Sequence, residues 1–322
     1  MKAVMFVPQP GGAIAEVREI DAPRPAAGEV LVKVMAAGLN RGELASRDAL
    51  LTGSPQQTGI EFAGEVVELG AGASRVRLGD RVMGHWRAGQ AEFVAVDERL
   101  LVPVPERLSW IEAAAWLNVF VTAHDAIVTN ARLRADESIL ITAASSGIGV
   151  AALQIARLLG ASPVIASSRS ADKFEKLRPH GMQLGVLAGE RGLADIAAAT
   201  GGKGVGVLID SVGAPALKAN LAALAVGGRM VGIGRLGGNI AEIDLDLLAL
   251  KRLKLIGVTF RTRSKEERIA CVQRCAADLL GPLSEGLLQP VVYRTFAMAD
   301  VREAHRCMEL NDQVGKIVIS IA

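Results

Sequence analysis

Apolar and polar positions follow two different rhythms along the chain. In the first third, short strand-like runs recur between Gly and Pro residues. They include Val30-Leu31-Val32-Lys33-Val34, Ala63-Gly64-Glu65-Val66-Val67-Glu68-Leu69 and Gln90-Ala91-Glu92-Phe93-Val94-Ala95-Val96. Runs spaced this closely, with turn residues between them, predict a partly antiparallel, barrel-like domain up to about residue 110. From Ile139 the pattern changes to unbroken aliphatic runs at 139–141, 164–166, 205–209 and 230–233, separated by longer helical stretches. Strands covered on both faces by crossover helices have this texture, so the middle of the chain predicts a parallel, doubly wound sheet and the whole an α/β protein. The clearest helix is 148–159, where Ile148, Ala151, Ala152, Ile155, Leu158 and Leu159 share one face. A charged turn at 261–267 leads into an amphipathic helix ending near Gly281-Pro282, and a last strand is expected over 316–321.

Composition narrows the function classes. The 322 residues suffice for two domains, and with half of them apolar and 22% charged the chain has the balance of a water-soluble protein. Thirty-six basic against 34 acidic residues leave a net charge of +2, which gives no electrostatic reason for nucleic acid or an anionic membrane as a partner. The most apolar region, 110–128, is interrupted by Glu112, Asn118, His124 and Asp125, so no membrane span is expected. The first residues read as a strand rather than a secretory signal, and the three cysteines all fall late, at Cys271, Cys275 and Cys307. A reduced, cytoplasmic setting is the expectation.

The most informative segment is Ala143-Ala144-Ser145-Ser146-Gly147-Ile148-Gly149, which joins a strand to a helix. Small residues there let a backbone approach a pyrophosphate, and the N-terminus of the helix supplies free N–H groups and a positive dipole end. Strand before, helix after and further strands downstream match the context such a turn needs for dinucleotide binding. At the end of the next strand, about 20 residues on, an NAD site holds an Asp or Glu against the ribose 2′-hydroxyl. This chain has Ser167-Ser168-Arg169-Ser170, with Lys173 close behind. Hydroxyls and cations suit a 2′-phosphate, so NADPH is the expected cofactor; a solvated loop opening a helix is the plainer alternative.

With these features in order, the whole chain resembles the medium-chain dehydrogenase/reductase superfamily, in its zinc-independent quinone oxidoreductase (zeta-crystallin-like) branch. The resemblance is carried by Ala36-Ala37-Gly38-Leu39-Asn40-Arg41-Gly42-Glu43-Leu44, Gly59-Ile60-Glu61-Phe62-Ala63-Gly64-Glu65-Val66, Gly79-Asp80-Arg81-Val82-Met83-Gly84, the phosphate turn, and Val314-Gly315-Lys316-Ile317-Val318. It implies a GroES-like catalytic domain over 1–118, completed by 262–322, with a Rossmann NADPH-binding domain over 119–261 and a substrate cleft. Zinc-dependent relatives carry Cys where Asn40 stands, and His in the string read here as Gly59-Ile60-Glu61. Neither position offers a zinc ligand, and His85, His124, His180 and His305 show no close metal spacing, so each reads as a surface or packing residue and no metal is expected.

The resemblance implies roles for further residues. Asn40 matches a cleft asparagine able to polarise a substrate carbonyl, although Asn also suits a turn that closes a strand. Thr122 matches a threonine beside the nicotinamide, or is a buried helix hydroxyl bonded to the backbone. Ser211 and Val212 are expected near the adenosine half of the cofactor, and Gly232, Ile233 and Gly234 on the nicotinamide side. Lys316 reaches the cofactor or caps the last strand. The branch often has a tyrosine near position 45 and another near 187, whereas the chain has only Tyr293. No general acid emerges, leaving water as the proton source. The expected reaction is hydride transfer from NADPH to a small quinone or α,β-unsaturated carbonyl. The alternative is an NADPH-binding structural or regulatory protein. A short-chain reductase would need a Tyr-x-x-x-Lys pair, but Tyr293 is followed four residues later by Ala297. The run Leu253-Lys254-Leu255-Ile256-Gly257-Val258-Thr259-Phe260 reads as a late strand whose exposed edge would pair two copies into a homodimer.

Overall fold

The alternation around Val30–Val34 becomes an eleven-residue strand, Glu29–Leu39, in a computed structural model that describes residues 1–321. This strand is the spine of a seven-stranded sheet. It pairs antiparallel with Phe62–Leu69 along one edge; along the other, its first half meets Phe93–Asp97 and its second half Lys316–Ser320. The C-terminal strand thus lies against Leu39, the residue before Asn40. A smaller sheet, ordered Gly12–Glu19, Lys2–Gln9 and Gln56–Gln57, packs its apolar face with the helix Val301–Leu310. Val4, Phe6, Leu39, Leu44, Val301, Met308, Ile317 and Ile319 form that core. The unit comprises Met1–Val119 and the chain from Ser264 onward.

The second unit, Phe120–Arg263, holds six parallel strands. Their spatial order is Leu184–Leu187, Val164–Ser168, Ile139–Ile141, Val205–Asp210, Leu224–Gly232, Lys254–Gly257. In chain order this is 3-2-1-4-5-6, the Rossmann arrangement, and the order reverses between Ile139–Ile141 and Val205–Asp210. Leu140, Ile165, Val186, Leu208 and Leu224 fill one side of the sheet, which explains the aliphatic runs.

Several boundaries differ from the pattern of the sequence. The strand expected from Gln90 starts only at Phe93, because Gln90 and Ala91 contact the N-terminal strand through the bond from Val4 N to Gln90 O and the bridge between Ala3 and Ala91. The helix Lys265–Ser284 runs past Gly281 and carries Pro282 in its last turn. Most consequential is 110–130, where no stretch long enough to span a bilayer is expected. Trp110–Asn130 is continuous enough and apolar enough to meet that length and composition, yet most of it is buried inside the protein. Its apolar side chains, Trp116, Leu117, Phe120 and Ile127 among them, are core residues. The polar residues that interrupt it, Asn118, His124 and Asp125, are buried with them rather than turned to solvent.

Candidate functional site

The turn expected to cradle a pyrophosphate lies where the strand order of the second unit reverses, the crevice position for ligands in open α/β sheets. Ala143 takes a left-handed φ of 46°, and Ser146 caps the helix Gly147–Leu158 by accepting the Gly149 N–H at 3.1 Å. Among the described residues, the N–H groups of Gly147 and Ile148 make no hydrogen bond, so two donors at a helix N-terminus remain for a ligand. Gly149 has a steric reason. A Cβ there would lie 2.6 Å from both Cα and O of Ala144, so only glycine lets the helix start this close to the turn. A dinucleotide pyrophosphate fits this donor set; Ala144, Ser145, Ser146, Gly147, Ile148 and Gly149 would hold it.

The flanking loops are tied to the turn. Thr142 Oγ1 donates to Asp210 Oδ1 at 2.9 Å and accepts the Ser211 N–H at 3.0 Å. The buried Asp210 carboxylate also accepts from Asn220 Nδ2 and from the N–H groups of Val212 and Gly213. Its own carbonyl receives the N–H groups of Ile233 and Gly234, while Ser211 and Val212 carbonyls receive those of Leu236 and Gly237. The structure therefore brings Ser211, Val212, Gly232, Ile233 and Gly234 together as one laced pair of loops. Ser167 accepts the Ala144 N–H through its carbonyl, placing the end of its strand beside the turn. Ser167 and Ser168 are buried, and Arg169 is exposed with no partner among the described residues. Lys173 follows in a short 3₁₀ turn. An acid is also present: the Ser170 hydroxyl donates to Asp172, whose pKa is lowered chiefly by that bond. Thr122 is buried in the helix Leu117–His124, in this same unit.

Asn40 belongs to the first unit, and it is not a free cleft donor. Its backbone is extended (φ −130°) as it caps the helix Arg41–Ala49, and its amide has four partners. Nδ2 donates to Glu61 Oε1 at 3.0 Å and to Gly38 O at 3.2 Å. Oδ1 accepts from Asn118 Nδ2 at 2.7 Å and Lys316 Nζ at 2.6 Å. An amide has two donors and two acceptor sites, so none is left to polarise a substrate carbonyl. Lys316, expected at the cofactor or as a strand cap, is held by the same cluster. Its ammonium pairs with Glu61 Oε1 at 2.5 Å and donates to Leu39 O at 2.7 Å, with the two side chains only 5% and 1% exposed.

Two further carboxylate contacts extend the network. Glu61 Oε2 accepts the Asn118 N–H at the start of its helix, at 3.0 Å, which suits an anion. Glu43 accepts the N–H groups of Asn40 and Ile60 and Nε2 of Gln90. Burial pushes its pKa up to about 7, against the lowering effect of the Asn40 bond and of Lys316. His85, read in the sequence as a surface or packing residue, is buried beside this cluster and bonded to Asn118; burial holds its pKa down near 4. His305 instead packs edge-on against Phe6 at 5.7 Å.

Glu61, Gln90, Asn118 and His85 are what the sequence reading missed. Only Glu61 had a signal, a charged residue opening an apolar strand. Gly38 makes room for it, since a Cβ there would lie 2.3 Å from Glu61 Oε1 and 2.5 Å from Ala114 O. No group of three or more His, Cys, Asp or Glu with metal-binding geometry occurs among the described residues. The positions matched to zinc ligands are Asn40, saturated as above, and Ile60.

Comparison with known proteins agrees with both units. Residues 26–106 match the alcohol dehydrogenase GroES-like domain, and residues 147–276 match the family described as zinc-binding dehydrogenase. Quinone oxidoreductase-like protein 2 of Rattus norvegicus is 32% identical over 310 residues, 93% of this chain and 87% of the relative. Among solved structures, an NAD-dependent alcohol dehydrogenase superposes with a TM-score of 0.90 at 28% identity, covering both chains completely. A mycobacterial protein complexed with NADPH gives 0.90 at 25%, again over both whole chains. The CurK enoyl reductase gives 0.88 at 25%, over all of this chain and 99% of its own.

Proposed function

Since this chain belongs to the medium-chain dehydrogenase/reductase superfamily, among its quinone oxidoreductase-like members, we propose that it is an NADPH-dependent reductase of quinones or α,β-unsaturated carbonyls that works without a metal. The observation that carries the reading is the pair of unpartnered N–H groups, Gly147 and Ile148, at the point where the strand order reverses. When bound, the nicotinamide supplies the hydride, and the protein supplies binding and orientation. Ser145 to Gly149 hold the pyrophosphate. Ser211, Val212 and the stretch Gly232 to Gly234 form the laced loops beside it.

NADPH is favoured over NADH because Arg169, just past the strand Val164–Ser168, is exposed with no partner among the described residues, and Ser167, Ser168 and Lys173 lie near it in the sequence. A guanidinium without a protein partner suits a phosphate dianion. Asn40 acts by shaping the first unit rather than by touching substrate, because its amide is committed internally. The cluster around it has an ammonium where a metal would need ligands, which favours metal-free chemistry. The proton that accompanies the hydride comes from water. NADPH oxidation against a panel of quinones and enones tests the reading: turnover with at least one member supports it, and tight NADPH binding with no turnover on any member overturns it.

The protein is further proposed to be a homodimer. Lys254–Gly257 ends the sheet with one edge unpaired, and Leu255 on it is 42% exposed. Nearby in sequence, Leu245 and Leu250 are also largely exposed, giving the edge an apolar surround.

A further inference from the structure

An ammonium buried in a β-domain must spend all its donors on protein, and the way Lys316 does so fixes a second side chain. Its Nζ contacts three oxygens: Glu61 Oε1 at 2.5 Å, Asn40 Oδ1 at 2.6 Å and Leu39 O at 2.7 Å. The side chain is delivered there by Gly315, whose φ of +91° and close approach to Val291 O (2.3 Å from an added Cβ) leave no room for another residue. An ammonium only donates, so the Asn40 atom facing it must be the carbonyl oxygen. The Asn40 nitrogen is then forced toward Glu61 and Gly38 O, and Asn118 Nδ2 must donate to the same Asn40 oxygen. With the positive charge gone, only Gly38 O and Glu61 still hold the nitrogen end of that amide, its oxygen loses the shorter of its two donors, and Glu61 is left buried without its counter-ion.

We propose that Lys316 is the fixed internal cation of this site, an ammonium with three oxygen ligands that neutralises the buried Glu61 and holds the oxygen end of Asn40, and through it Asn118, in place. It is a positioning residue for the reduction and not a cofactor contact. The role in reduction rests on the reductase reading above; the cation assignment does not.

Truncating the side chain tests it. Lys316→Ala removes three methylenes and the ammonium, leaving a gap of the size and ligand set of n-propylammonium. The protein with this substitution is expected to lose about tenfold or more in kcat, as misplacement of site groups does, with KM for NADPH changed by less than about twofold. Propylammonium chloride is expected to raise its melting temperature and restore part of kcat, where sodium chloride at equal ionic strength does neither. The unsubstituted protein should respond to neither salt. A wild-type kcat in Lys316→Ala, a rise confined to KM for NADPH, or no effect of propylammonium on melting would overturn the proposal.

If Lys316→Ala does not fold, Lys316→Met and the pair Lys316→Met/Glu61→Gln decide. The double variant is expected to melt higher than the single one, because the orphaned carboxylate is gone; a double variant no more stable overturns the assignment. Should the unsubstituted enzyme reduce nothing with NADPH while propylammonium still stabilises Lys316→Ala, the cation assignment stands and the reductase reading falls.

Discussion

Asp210 accepts a hydrogen bond from the Thr142 hydroxyl at 2.9 Å, joining the ends of the two central strands of the cofactor sheet. Both side chains are buried, and the same hydroxyl accepts the Ser211 N–H. The phosphate turn begins at the next residue, so the contact sets where the turn starts relative to the loop after Asp210. Thr142→Val keeps the shape but leaves one buried acceptor and one buried donor short of a partner. A loss of about 1–3 kcal/mol in unfolding free energy is expected, read by denaturant titration. NADPH affinity, read by fluorescence titration, should fall with it; unchanged stability and affinity would mean the contact is dispensable.

Gly149 tests the turn itself. A methyl group at this position meets Ala144 Cα and O at 2.6 Å and Ala143 O at 2.7 Å, all backbone atoms of the turn. Gly149→Ala must therefore displace the helix start carrying the Gly147 and Ile148 N–H groups. The expected result is at least about a tenfold rise in Kd for NADPH, the scale of losing one well-placed hydrogen bond to a charged ligand. Equal affinity for the variant would remove those N–H groups from the site.

The Glu43 carboxyl gives the first unit a pH dependence of definite sign. Burial raises its pKa from 4.5 in the unfolded chain to about 7, so the folded state takes up a proton more readily than the unfolded one. That contribution to stability is complete below about pH 4.5 and is lost as pH rises through 7. Melting temperature should thus fall between about pH 4.5 and pH 7.5, and Glu43→Gln should flatten the fall. The amide keeps the neutral charge of the protonated acid, although its NH2 must displace one of the N–H groups that the carboxylate oxygens accept. A dependence left unchanged in Glu43→Gln would place the titrating group elsewhere.

Assembly is checked at the edge strand. Light scattering at micromolar protein is expected to give twice the chain mass. Leu255→Asp, on the exposed edge, should halve it without lowering the melting temperature of the isolated chain by more than surface substitutions usually do, about 0.5 kcal/mol. A monomeric mass for the unsubstituted protein contradicts the dimer.

Much of this molecule was legible in the order of its residues, and the reason is periodicity. The aliphatic runs 139–141, 164–166 and 205–209 read as strands covered on both faces and are strands of one parallel sheet, with the small-residue turn after Ile141 at the point where its order reverses. The polar cluster of the first unit was not legible, because its members come from positions 40, 43, 61, 90, 118 and 316 and no local pattern links them. Asn40 was visible as an unusual residue, but whether its amide was free depended on Lys316, 276 positions away, and on Asn118. His85 reads as a surface or packing residue, and only the fold decides for packing. The stretch 110–130 shows the same limit: Asn118, His124 and Asp125 read as interruptions of a membrane span, and only the fold reveals that all three are buried.

On the proposed reading, hydride passes from NADPH to an electron-poor acceptor with no metal involved. This is tested most directly by dialysing the protein against a strong chelator, then supplying NADPH deuterated at the transferable C4 position together with an α,β-unsaturated ketone or a quinone. For an enone, deuterium should appear on carbon in the product by mass spectrometry; for a quinone, oxidation of the labelled NADPH should show a primary isotope effect. In both cases the rate should equal that of untreated protein. A rate abolished by the chelator and restored by zinc, or product formed without deuterium from the cofactor, would contradict the account.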